Sequence, residues 1–391
     1  MFNIISLFPM SHTGESIIGT TEHVLRHSAV PNLTDILGSV SGRELQSALI
    51  EDSVKKAGEL SVHDVYRQHN ENYFVQPCEL DQREVVSFEA AALRAIPLDV
   101  SMIELSPVSA LGTNSIVAGI SQKTVLTTIR GTEVLADGVT ALTLETAKRK
   151  EAEGDWSSAE LGTFHRELRT QAHEQPGFTA HFHALSLVSA AKASNPDEFK
   201  SDSFARHIST YLDIMSVAKD VGYEAHKIEV AFSNIRVMEL LIKNRGLDRA
   251  TLMRHTQTPG FSAIDTFGVP LPKKASHIEM VALAEDLPEE VEYLRRPLRY
   301  TARIFQKISE AIQSRYTDQQ VVTSFDLDRH AGIGYYQDAC VKISASNNSG
   351  ETYPLVDIGT SDWLAKITNQ RSDRLITGGM GTELFMKKFK A

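Results

Sequence analysis

The chain has 391 residues, an apolar fraction of 42% and a net charge of −10, with 40 Lys and Arg against 50 Asp and Glu. That balance is ordinary for a folded protein with room for more than one structural unit, and it excludes a broad basic surface for nucleic acid. No apolar run reaches the roughly 18 residues of a membrane span, and the opening MFNIISLFPM lacks the basic start and cleavage site of a secretory leader. Cys78 and Cys340 are far apart and have no ligand-type neighbours. They read as idle thiols of a cytoplasmic protein with no metal site.

Segment 1–80 reads as helical and polar, with Leu45, Leu49, Val54 and Leu60 at amphipathic spacing and Ser61 as the cap of a second helix. From Asp81, DQREVVSFEAAALRAI is a helix rich in good helix formers, and DVSMIELSPVSALG reads as a strand stopped at Pro107. A strand from Val125 to Ile129 follows, then the turn IRGTEVLADG and a helix with Leu142, Leu144 and Ala147 inward. Arg130 and Glu133 fall at a strand end, either as a surface pair or as holds for the carboxylate and amino groups of a small ligand.

The stretch LGTFHRELRTQAHEQPGFTAHFHALSLVSA, 161–190, reads as two antiparallel strands around a Pro-Gly turn, a platform for an anionic, planar ligand. His181 and His183 leave the same face, as ligand-binding groups or as half-buried polar residues. Beyond it lie a helix from Ser201, the strand HKIEVAFSN, a helix ended by Gly246 and a loop-rich stretch 248–274. A long helix broken at Pro297 comes next, and the C-terminal part alternates strands with short helices.

This order, with several short matches, resembles the catalytic core of a class II aminoacyl-tRNA synthetase, nearest to histidyl-tRNA synthetase and its paralogues, over roughly Asp81 to Phe389. The helix from Asp81 and the strand to Pro107 are similar to the family's first motif. HRELRTQ with PGFTAHFHAL resembles the second motif, written FRxERPQ and GRYRQFHQ. FDLDRHAGIGYY resembles the histidyl-specific FDLGLxRGLDYY, and TGGMGTELF the third motif.

The resemblance implies an α+β fold: a class II synthetase-like antiparallel sheet flanked by helices, with an added helical N-terminal region at 1–80. The core would run over 81–391, with an insertion at about 195–320 and no anticodon-binding domain. It implies Arg166 on the ATP α-phosphate, Phe182 on adenine and Glu383 as nucleotide-binding residues. Arg130, Glu133, Gln171, His183 and Tyr336 become substrate-binding residues, with ATP and magnesium as cofactors and a homodimer built on Asp81–Pro107.

The departures decide the functional reading. Leu384 stands where the third-motif arginine follows Glu383, and Ala331 where an arginine precedes Gly332, although Arg329 is two residues away. Leu168, Ala184 and Val188 replace polar residues, and IGTSD stands for GGRYD. Each arginine on a reacting α-phosphate is worth on the order of 3 kcal/mol, so losing two costs roughly 10⁴-fold in rate. The expected protein is a paralogue that does not charge tRNA and binds a small amino-acid or nucleotide ligand in a regulatory or accessory role beside a partner enzyme. The regulatory subunit of ATP phosphoribosyltransferase is similar in this respect. The alternative is a divergent ATP-dependent ligase that activates an amino or carboxylic acid for a non-tRNA acceptor.

Overall fold

The computed structural model describes residues 35, 38–154, 156–170, 179–247, 249–256, 260–316 and 321–391. Helices α1 (Gly42–Gly58) and α2 (Val62–Glu71) each open on a capping box, Ser41 with Glu44 and Ser61 with Asp64, and neither buries a residue. Their start signals are therefore local, as the sequence predicts. Helix α3 (Gln82–Ala95) is capped by Asp81 and turns Val85, Phe88, Ala91 and Ala92 inward.

The strands are β1 (Ser101–Met102), β2 (Val108–Ala110), β3 (Thr132–Val134), β4 (Ser158–Leu168), β5 (His181–Lys192), β6 (His226–Asn234), β7 (Lys274–Ala275), β8 (Val321–Asp326), β9 (Ala339–Ser346), β10 (Thr352–Ser361) and β11 (Asp373–Met380). Nine form one sheet in the order β1-β4-β5-β11-β10-β9-β6-β8-β7, and β2-β3 make a separate ribbon. Among the described strands only the pairs β1–β4 and β6–β8 run parallel. The fold is thus the expected large, mostly antiparallel sheet flanked by helices.

Helices cover both faces, so Ala184 to Ala190 in β5 form a continuous buried run. Helix α4 (Gly138–Ala152) and, later, α9 (Trp363–Thr368) pack on one face. Helix α5 (Pro196–Val217), α3 and the terminal α10 (Thr382–Lys388) pack on the other. Between them in sequence come α6 (Ile235–Asn244), α7 (His277–Glu285) and α8 (Arg295–Arg315). No described helix is long and apolar enough to cross a membrane.

Four local expectations change. The stretch after α3 is not one strand but the short β1 and β2, followed by a π-turn at Thr113–Val117. The strand expected at Val125–Ile129 is only a bridge from Thr127 to Glu133, and pairing instead begins at Thr132, after Gly131 reverses the chain at φ 68°. Segment 248–274 contains short helices at Arg249–His255 and Ala263–Thr266. Pro297 does not break a helix: a 3₁₀ turn ends at Leu294, and α8 places Pro297 in its first turn, where no backbone bond is lost.

Candidate functional site

The register of the β4–β5 hairpin positions the site. Arg166 lies opposite His183, Glu167 opposite Phe182 and Leu168 opposite His181. Cross-strand partners share a face and successive residues alternate. Arg166, His181 and His183 therefore take the face beneath α3 and α10, while Glu167 and Phe182 take the α4 face. The two residues expected to hold one nucleotide stand on opposite sides of the sheet.

On the α10 side, Arg166 Nη1 donates to Glu383 Oε2 at 3.0 Å and lies 2.7 Å from His181 Nδ1. His181 Nε2 is 2.6 Å from the Gln76 carbonyl, which assigns the ring proton to Nε2 and makes Nδ1 the acceptor. Lys387 Nζ and the His183 backbone N–H also reach the Glu383 carboxylate, at 2.9 and 3.2 Å. Burial works to raise the Glu383 carboxyl, but Lys387 and Arg166 outweigh it and hold it below its ordinary value. His183 Nδ1 is 3.2 Å from Glu89 Oε1 of α3. This cluster braces α3, α10 and the chain at Gln76 against the hairpin.

On the α4 side, Asp137 caps the helix, accepting from the Val139 N–H at 3.1 Å and from the Tyr335 hydroxyl at 2.8 Å. Glu167 Oε1 accepts from the Gly138 N–H at 2.8 Å and Oε2 from Arg169 Nη2 at 3.3 Å. Arg169 Nε donates to the Ala136 carbonyl at 2.9 Å, and its guanidinium carbon lies 5.4 Å from the Phe182 ring centre. A Cβ at Gly138 would meet Ser186 Oγ at 2.7 Å, so the glycine lets α4 come this close. Asp137 and Glu167 are 0% and 1% exposed. Burial pushes the Glu167 carboxyl up to about 7, Arg169 opposes the rise and the Asp137 charge adds to it. Asp137 is also raised, by burial above all.

Beside this pair, Arg329 Nη2 donates to both Asp357 oxygens, at 2.6 and 2.8 Å. Among the described residues its Nη1 is buried without a partner, as is the Tyr336 hydroxyl. The Tyr336 ring lies 5.8 Å from the Arg329 guanidinium carbon and is wedged between Gly332 and Gly359.

Glu133 does not stand ready for a ligand. It is fully buried, and its carboxylate accepts from the N–H groups of Gly112 (3.0 Å) and Asn114 (2.8 Å) and from the side chains of Asn114 (2.7 Å) and Gln122 (2.9 Å). Arg130 is exposed at the turn and does not join it. Gln171 lies outside the described residues. The structure thus gathers Arg166, Glu383 and His183 in one cluster, and sets Phe182 and Tyr336 apart from it. Asp137, Glu167, Tyr335 and Asp357 carry no ligand-binding expectation from the sequence. An Asp-Gly pair ahead of a helix and the alternation Glu167-x-Arg169 were visible signals, but their face was not.

The donor set can be tested against a triphosphate. Arg166, Arg169 and Arg329 each lie against a carboxylate, of Glu383, Glu167 and Asp357 respectively. Stabilising a triphosphate needs cations whose charge is not already compensated. These three do not fit that task. The α4 side instead sets two buried carboxylates, Asp137 and Glu167, beside the Arg169 guanidinium.

No family model and no curated protein sequence matches the chain. Solved structures do. An ATP phosphoribosyltransferase regulatory subunit/histidyl-tRNA synthetase from Bacillus halodurans C is 15% identical, with 81% of this chain and 83% of that one covered at a TM-score of 0.57. A histidine–tRNA ligase subunit from Alicyclobacillus acidocaldarius is 14% identical, covering 80% and 95% at 0.56. Histidyl-tRNA synthetase from Nostoc sp. PCC 7120 is 11% identical, covering 81% and 74% at 0.55. At such identities the likeness shows the fold, which is class II synthetase-like.

Proposed function

We propose that this protein is a class II synthetase-like paralogue that does not charge tRNA and holds a small amino-acid ligand on the α4 face of its sheet, in a regulatory or accessory role toward a partner enzyme. The observation that carries the reading is the pairing of Arg166, Arg169 and Arg329 with carboxylates, which leaves none of the three free for a triphosphate. A role beside a partner enzyme is supported by the Bacillus halodurans neighbour, described as both a regulatory subunit and a synthetase. One feature favours the second reading, a divergent ligase using ATP and magnesium: Phe182 with Arg169 against its ring could take a planar base.

Pyrophosphate exchange with ATP, magnesium and each of the twenty amino acids separates the two. The expected result is no exchange above background. Acid-dependent exchange would establish the ligase and name its substrate. The same reading carries a homodimer through α3, where Val86 and Leu93 face outward at 57% and 43% exposure. Light scattering should return twice the chain mass, and a monomer at micromolar concentration refutes that part.

A further inference from the structure

We infer that the groove between α7 and α8 docks an acidic, amphipathic segment of the partner enzyme. The inference rests on the reading that this chain serves a partner enzyme, and it adds where that enzyme is held and by what chemistry. The groove has a volume of about 990 Å³ and is walled by α7, α8 and the start of α5. Along α8, Arg295, Arg299 and Arg303 stand four residues apart and share one helix face, with Arg296 exposed beside them. Tyr293 and Tyr300 line the groove with them. Arginine and tyrosine are enriched where protein surfaces meet.

These arginines already bind carboxylates. Arg295 clasps Glu292 through Nε and Nη2 at 2.5 and 2.6 Å, Arg299 donates to Glu285 at 2.7 Å and Arg303 to Asp197 at 2.5 Å. Arg295 also donates to the Ala284 carbonyl at the end of α7, at 3.2 Å, so it belongs to the fold rather than to the docking surface. In the pairs of Arg166, Arg169 and Arg329 the carboxylate is buried. Here both partners reach solvent, with Arg299 and Arg303 at 49% and 67% exposure. Exposed pairs are weakly held, so an incoming carboxylate can replace Glu285 or Asp197 on its arginine. Among the described residues, four guanidiniums and three carboxylates line the groove, a local positive balance on a chain of net charge −10.

The groove also has an apolar edge. Val281 lines it and Ile278 stands three residues earlier on α7, at 42% and 81% exposure. A nucleic-acid backbone would meet Asp197, Glu285 and Glu292, and its phosphates would offer nothing to these two side chains. A protein segment with carboxylates flanking an apolar residue satisfies both the arginines and the apolar edge. The groove is tied to the sheet as well. Lys200 Nζ donates to the Tyr300 hydroxyl at 2.9 Å and to Asp338 at 2.5 Å, and Asp338 lies two residues beyond Tyr336. A partner seated on Tyr300 thus stands one bonded lysine away from the loop that carries Tyr336.

The test is fluorescence anisotropy of the full chain with a labelled helical peptide in which leucines at helical spacing are flanked by glutamates. The same peptide with lysine for glutamate, and oligo-uridine, serve as controls. The acidic peptide should bind, more weakly as salt rises; the lysine peptide should not bind, and oligo-uridine should not displace the acidic one. Arg296→Glu and Arg303→Glu should each weaken binding about tenfold or more, as hot-spot residues do, and so should Ile278→Asp. All three side chains are exposed, so the urea midpoints should stay those of the native chain. Should one variant fail to fold, the other two carry the comparison. Equal binding of the lysine peptide, displacement by oligo-uridine, no binding at all, or affinity indifferent to the three substitutions overturns the inference. Pyrophosphate exchange on the same preparation judges the underlying reading separately. Exchange together with arginine-dependent peptide binding would sink the non-charging role and leave the docking surface standing.

Discussion

Glu133→Ala is expected to destabilise the protein by about 3–5 kcal/mol, the range for removing one partner from a buried charged network. Glu133 reads from sequence as a surface or ligand-binding residue, yet it is the acceptor for four N–H groups of the 112–122 segment. With alanine there, those donors lose their acceptor, and each that stays dry costs about 1–3 kcal/mol. Water entering from the loop side relieves some of this, which keeps the total below the sum. Burial alone would raise this carboxyl, but the bonds from Gln122, Asn114 and Gly112 win and hold it below the ordinary 4.5. Its stabilisation is therefore complete above the unfolded value and is lost as pH falls through the lower folded one. Urea unfolding at pH 7 and pH 3 checks both points: the gap between the native chain and the variant should be large at pH 7 and shrink in acid. An equal gap at the two values would mean that the carboxylate charge is not what holds the segment.

Gly359→Ala should cost about 3 kcal/mol, the upper end for overpacking a core. A Cβ there would lie 2.6 Å from Tyr336 Cγ, and the ring cannot retreat, because a Cβ direction at Gly332 meets Tyr336 Cδ2 at 2.6 Å on the other side. Gly332 also has φ 102°, so its own replacement would be strained twice over. The check is a double-mutant cycle in urea. Gly359→Ala combined with Tyr336→Ala should be far less destabilised than the two single costs added together. Strict additivity would show that the clash is relieved elsewhere.

Both cases show where sequence reading stops. The glycine at 359 was visible within IGTSD, but what it makes room for is a tyrosine 23 residues earlier in the chain. Glu133 was visible at a strand end, but its partners, Gly112, Asn114 and Gln122, lie beyond the strand that stops at Pro107, in a segment with no expected link to it. Pro297 was read by its usual effect inside a helix, and only the position of the helix start turned it into a first-turn residue.

What the sequence determined by itself is what local chemistry decides. Capping boxes at Ser41 and Ser61 start two helices. Alternation makes the hairpin, and the order of short motifs from Asp81 onward specifies an antiparallel sheet flanked by helices. The tertiary structure alone decided which face each hairpin residue takes. A strand has a side-chain period of two, so a one-residue difference in register exchanges every side chain between faces, and no single arm contains that information. The pairing of Glu167 with Phe182 placed Arg166 on a structural brace with Glu383, and brought Glu167 and Arg169 beneath the capping aspartate of α4.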